Sequence, residues 1–87
     1  MTADQKARQA LTSILVEECR VDASNISDAS RLQDDLGLDS MTLLSLALEV
    51  ENFLGCALEE DPENPPLTVG ALIALVVERL EEQRNVA

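Results

Sequence analysis

Asp34-Asp35-Leu36-Gly37-Leu38-Asp39-Ser40-Met41 runs without a break into Thr42-Leu43-Leu44-Ser45-Leu46-Ala47-Leu48-Glu49-Val50-Glu51-Asn52-Phe53-Leu54. No Pro or Gly interrupts Ser40 to Leu54, and Leu43, Leu46, Ala47, Val50 and Leu54 recur at steps of three and four. That spacing predicts a helix over 40–54 with one apolar face, stopped by Gly55. Asp39 and Ser40 are both residue types whose side-chain oxygens accept the orphan N–H bonds of a first helical turn. A hydroxyl there lies at the positive end of the helix dipole, where an attached phosphate is stabilised, and Gly37 permits the bend that presents the corner to solvent. Position alone makes Ser40 an N-cap; its surroundings make it a candidate for modification.

The string Asp-Leu-Gly-Leu-Asp-Ser-Met followed by an amphipathic helix resembles the 4'-phosphopantetheine attachment motif of acyl carrier proteins, and the serine that carries the prosthetic arm in that family maps to Ser40. The resemblance extends, without a gap, from about residue 5 to about residue 83. Ala7, Leu11, Ile14, Leu15 and Cys19 follow the apolar pattern of the family's first helix. Val21, Ile26, Leu32 and Leu36 take the loop positions that pin to the core, and Leu58 and Leu67-Thr68-Val69 precede the last helix.

Around that segment, 87 residues make a single domain with an expected radius of gyration of roughly 12 Å, and a chain so short uses most of its apolar residues in one core. Hydrophobic residues are 46% of the chain, yet Phe53 is the sole aromatic, so the core is aliphatic and soft. The fold expected is all-α: a small four-helix bundle with an ordered core over about 5–83. The first helix runs from Ala3 to Cys19, a long loop covers 20–39, and the second helix covers 40–54. A very short third helix at Asp61-Pro62 is cut off by Pro65 and Pro66, and a last helix behind a Thr68 cap runs to about Gln83.

Seventeen acidic and six basic residues give a net charge of −11, which repels nucleic acid and anionic membranes and attracts basic protein surfaces. Between Asp22 and Glu63 the sole basic residue is Arg31 against eleven acidic ones, so the Ser40 corner is strongly negative. The apolar run from Val69 to Val77 is too short to span a bilayer, and the opening residues contain no apolar stretch of signal length, so a cytoplasmic protein is expected. With no histidine, Ser40 has no ordinary base, and the chain reads as no enzyme. Cys19 and Cys56 lack metal-ligand spacing; Cys19 falls on the apolar face of the first helix as a small hydrophobe. Ile26 and Ser27 stand where a calcium loop over 22–28 needs a ligand and a glycine, so no metal site is expected.

The resemblance implies a mechanism. A phosphopantetheinyl transferase, supplying metal and base, moves the arm from coenzyme A to the Ser40 oxygen. The arm then carries acyl groups as thioesters between acyl-transferring and chain-extending enzymes with basic docking surfaces, the carrier itself being a monomer. It also implies an acyl cavity between the second and last helices, for which Leu46, Val50, Leu72, Ile73 and Val76 are candidates. For partner recognition the candidates are Asp39, Met41, Leu44, Leu48, Glu49, Glu51 and Phe53. Carriers of primary fatty acid synthesis usually have several carboxylates along this helix, whereas here only Glu49 and Glu51 are acidic. Met41, Leu44, Leu48 and Phe53 instead lie outside the core stripe as an apolar patch, which points towards a specialised lipid or polyketide-like pathway. Two alternatives stay open: an aminoacyl carrier of the D-alanyl or peptidyl kind, and a helical interaction module in which Ser40 is only a cap.

Overall fold

The computed structural model describes residues 2–58, 63 and 65–84, the side chain of residue 84 excepted. Among them three α-helices form: α1 (Ala3–Glu17), α2 (Ser40–Leu54) and α3 (Val69–Arg84), with a 3-10 turn at Ala23–Asn25. The radius of gyration is 12.3 Å. The fold is all-helical, as the sequence predicts. The short third helix expected near Asp61-Pro62 falls outside the described residues. No helix among the described residues is long and apolar enough to cross a membrane.

Each helix starts where a side chain can satisfy its first amides. Thr2 and Gln5 form a reciprocal capping box at α1, Asp39 caps α2, and the Thr68 hydroxyl accepts the Ala71 N–H at 3.1 Å. Gly55, in the left-handed conformation that favours glycine, ends α2. Helix α1 stops at Glu17, short of the expected Cys19. The chain leaves through Arg20 at φ 59°, and the Val21 N–H reaches back to the Leu15 carbonyl at 2.9 Å.

Ala7, Leu11 and Leu15 of α1, Leu46, Val50 and Leu54 of α2, and Val69, Leu72, Ile73 and Val76 of α3 meet in one aliphatic core. Cys19 packs partly against it. The long 20–39 connection is not loose. Val21, Leu32 and Leu38 are buried in the core, and the buried Ser30 hydroxyl donates to the Asn25 carbonyl while accepting the Ser27 N–H. Its middle is laced to the start of α3 by backbone bonds: Leu32 N–H to the Leu67 carbonyl, Val69 N–H to Ser30, and Gly70 N–H to Asp28. Arg8 of α1 grips the Asp28 carboxylate with two nitrogens, at 2.6 and 2.9 Å. These bonds anchor the loop whose last residues deliver Asp39 and Ser40.

Candidate modification site at the start of α2

The approach to Ser40 is a tight coil. The Gly37 N–H bonds to Gln33, the Leu38 N–H bonds to Leu32, and Gly37 takes φ 70°, a conformation that costs a side-chain-bearing residue free energy. Leu38 is buried, so the coil is pinned immediately before the helix. Asp39 then adopts extended backbone, φ −87° and ψ 178°, and its Oδ1 accepts the Thr42 N–H at 2.8 Å. That bond holds its carboxyl below the usual carboxylate range. Asp39 is thus the cap, and Ser40 is the first residue of the helix.

This division of labour decides what Ser40 can do. A capping serine has its oxygen committed to a backbone amide; the exposed Ser40 has no side-chain hydrogen bond within the described residues. The amides of Ser40 and Met41 precede the first that the cap satisfies, so two orphan N–H groups sit beside the hydroxyl. An exposed, uncommitted hydroxyl beside two free amides at a positive helix end suits a phosphodiester. The donor set therefore fits a phosphopantetheine on Ser40. No group of three or more His, Cys, Asp or Glu side chains that could hold a metal ion occurs among the described residues.

A cavity of about 630 Å³ opens on the same side of α2. Its apolar wall includes Leu32, Leu43, Leu46, Ala47, Leu58 and Leu72, the segment 65–68 closes another side, and Arg31, Gln33 and Asp34 supply its polar part. Helix geometry puts Leu43 and Ala47 within about 60° and 20° of the bearing of Ser40, roughly 4.5 and 10 Å further along the axis. Of the five residues expected to line an acyl cavity, Leu46 and Leu72 are on the wall of this one. Val50, Ile73 and Val76 are buried in the core and are not on the cavity wall, because they point into the packing between the helices. Leu43, Ala47 and Leu58 take their place. Leu43 and Ala47 were legible as apolar-face residues, but which part of that face meets a void depends on what packs opposite.

The expected recognition residues separate. Met41, Leu44 and Leu48 are exposed, between 53 and 76%, and share one side of α2 next to Ser40. Phe53 is also exposed, at 42%, but nine residues at 100° each place it half a turn away from Leu44. One continuous patch of Met41, Leu44, Leu48 and Phe53 is therefore corrected to a trio beside Ser40 and a lone ring on the opposite flank. Glu49 is half-buried. Glu51 is turned inward: its Oε2 accepts the Leu58 N–H at 3.0 Å, a bond no sequence pattern signals.

Comparison with known proteins agrees with this geometry. The family model described as "Phosphopantetheine attachment site" matches residues 9–61. The chain is 28% identical to an acyl carrier protein of Thermotoga maritima over 80 residues, covering 92% of this chain and 99% of that one. It is 40% identical over 67 residues to the acyl carrier protein MbtL of Mycobacterium sp. (strain MCS), covering 77% and 75%. To the acyl carrier protein MbtL of Mycolicibacterium paratuberculosis it is 35% identical over 75 residues, covering 86% and 84%. No solved structure matches. The matched segment spans the coil, the capped start of α2 and all of that helix, and on that ground the chain belongs to the acyl carrier protein family: a carrier rather than an enzyme, whose prosthetic group is a covalently attached 4'-phosphopantetheine.

Proposed function

We propose that Ser40 is the attachment site and that the chain carries aliphatic acyl groups for a specialised lipid or polyketide-like pathway in the cytoplasm. The observation that carries this reading is the transfer of the capping role to Asp39, which leaves the Ser40 hydroxyl exposed and uncommitted. When attached, the arm supplies a terminal thiol that holds cargo as a thioester. Asp39 keeps the helix end closed around its own carboxylate, while the Ser40 and Met41 amides remain available to an esterified phosphate oxygen. Leu43, Leu46, Ala47 and Leu72 offer a hydrocarbon chain a surface that excludes water.

The aliphatic part of the wall, Leu43, Leu46, Ala47 and Leu72, supports a hydrocarbon cargo, because a charged group would lose hydration against it. Met41, Leu44 and Leu48 form an apolar contact within a negative field of −11, so the fitting partner surface is an apolar groove with a basic rim. The phosphopantetheinyl transferase and the acyl-transferring and chain-extending enzymes would meet the monomer there.

Incubation with coenzyme A and a broad-specificity phosphopantetheinyl transferase, followed by intact mass measurement, tests the attachment. The wild type should gain the mass of one arm and Ser40→Ala none. A gain on Ser40→Ala would refute the assignment, and no gain on a folded wild type would favour the interaction-module alternative.

A further inference from the structure

Residues 55–58 leave α2 without regular structure, yet both backbone polar groups of Leu58 are held by side chains from two different helices. Its N–H donates to Glu51 Oε2 of α2 at 3.0 Å. Its carbonyl accepts from Arg79 Nε of α3 at 2.7 Å. The Arg79 side chain is only 13% exposed and also meets Glu82 at 3.1 Å, so the cation is withdrawn from water and compensated. Four residues on, the Gln83 amide nitrogen donates to the Leu54 carbonyl at 2.7 Å and reaches the Cys56 sulfur at 3.1 Å. Helix α3 therefore holds the segment after α2 at several points, and Leu58 is the residue pulled from both sides. Leu58 is also buried and forms part of the cavity wall.

We infer that Glu51 and Arg79 are positioning residues that clamp Leu58 and thereby set how long a hydrocarbon chain the cavity admits. An apolar wall made by an irregular segment can yield to an entering chain only if its backbone bonds break. Here yielding would unpair an N–H and a carbonyl and strip a partner from a largely buried guanidinium, so the wall resists. Leu43, Leu46 and Leu72 sit on helices and are fixed by them; Leu58 depends on the clamp. Of the two acidic residues in the expected recognition helix, Glu51 thus acts inward, on the cargo side.

The inference rests on the proposed sheltering of acyl chains in this cavity, and the experiment separates the two. Holo protein is loaded with butyryl, octanoyl, dodecanoyl and hexadecanoyl groups, and the leucine methyl signals are followed by NMR. In the wild type, signals from Leu46 and Leu72 should shift progressively with chain length and then stop responding at a cut-off. If they respond to no chain, the sheltering reading fails. Given a wild-type response, Glu51→Ala and Arg79→Met should move the cut-off to longer chains. Glu51→Gln, which keeps an acceptor oxygen for the Leu58 N–H, should restore it. A cut-off unchanged in Glu51→Ala overturns the clamp, as does a Glu51→Gln profile identical to that of Glu51→Ala. Should Arg79→Met fail to fold, the two Glu51 variants decide alone.

Discussion

Replacing Gly70 by Ala sets two opposed effects against each other, and the structure says which wins. Gly70 occupies the first turn of α3, where helix propensity favours Ala by about 0.8–1 kcal/mol. A Cβ at Gly70, however, would lie 2.9 Å from the Asp28 carbonyl oxygen and 3.2 Å from the Asp28 Cβ. The nearer atom is backbone, and it is tethered: the Gly70 N–H donates to that same oxygen at 2.9 Å, and Arg8 grips the Asp28 side chain. Overpacking costs about 1–3 kcal/mol. Stretching the backbone bond forfeits up to about 0.5–1.5 kcal/mol more. The balance is a net loss of about 0.5–3.7 kcal/mol once the propensity gain is subtracted. For a chain of this size each kcal/mol lowers the unfolding temperature by roughly 4–8 °C. Urea unfolding followed by circular dichroism measures it, with an unchanged slope showing that the two end states are preserved. Because Arg31, Leu32, Gln33 and Asp34 lie three to six residues after Asp28 and line the cavity, their amide signals should shift in the variant. A Gly70→Ala protein more stable than wild type by about 1 kcal/mol would show propensity dominating and refute the close-approach argument.

Phe53→Ala should unfold at a urea concentration close to wild type, well short of the roughly 3–5 kcal/mol lost on truncating a buried Phe, since the ring is exposed and outside the core cluster. If the partner binds beside Ser40, Leu44→Ala and Leu48→Ala should weaken a cognate complex while Phe53→Ala does not; titration calorimetry would read the contrast. Asp22, Asp28 and Asp39 all have carboxyls held below their ordinary range, by Ser24, Arg8 and the Thr42 N–H respectively. Their stabilisation is present above the ordinary carboxylate value and is lost as pH falls through the lowered ones, so the urea midpoint should drop on acidification, less steeply in Asp39→Asn. Added monovalent salt or magnesium should raise the unfolding temperature by screening a net charge of −11, and a flat or falling response in calorimetry would contradict that picture. A maleimide at neutral pH should label the exposed Cys56 well before Cys19, whose thiol is pushed up by burial and by Glu18.

Local pattern was enough wherever a feature repeats along one element. Helix α2 lies between the predicted Ser40 and Leu54 because its apolar period, its caps and Gly55 all act within a few residues of one another. The Thr68 cap and the exposure of Met41, Leu44, Leu48 and Phe53 were legible on the same ground. The 3-10 turn at Ala23–Asn25 left no period to read, being three residues long. Asp39 and Ser40 are both good caps by composition; only the extended backbone at Asp39 and the helical one at Ser40 assign the role and free the hydroxyl. Val50 and Leu46 share one apolar stripe, yet one is sealed in the core and the other faces a cavity, because the difference lies in what α3 and the loop bring opposite. The contacts of Gly70 and Glu51 could not be read from the sequence for a related reason, and Glu51 was legible only as a candidate recognition carboxylate. Their partners, the Asp28 carbonyl and the Leu58 amide, are backbone groups that every residue type carries, so no side-chain pattern marks such contacts before the chain has folded.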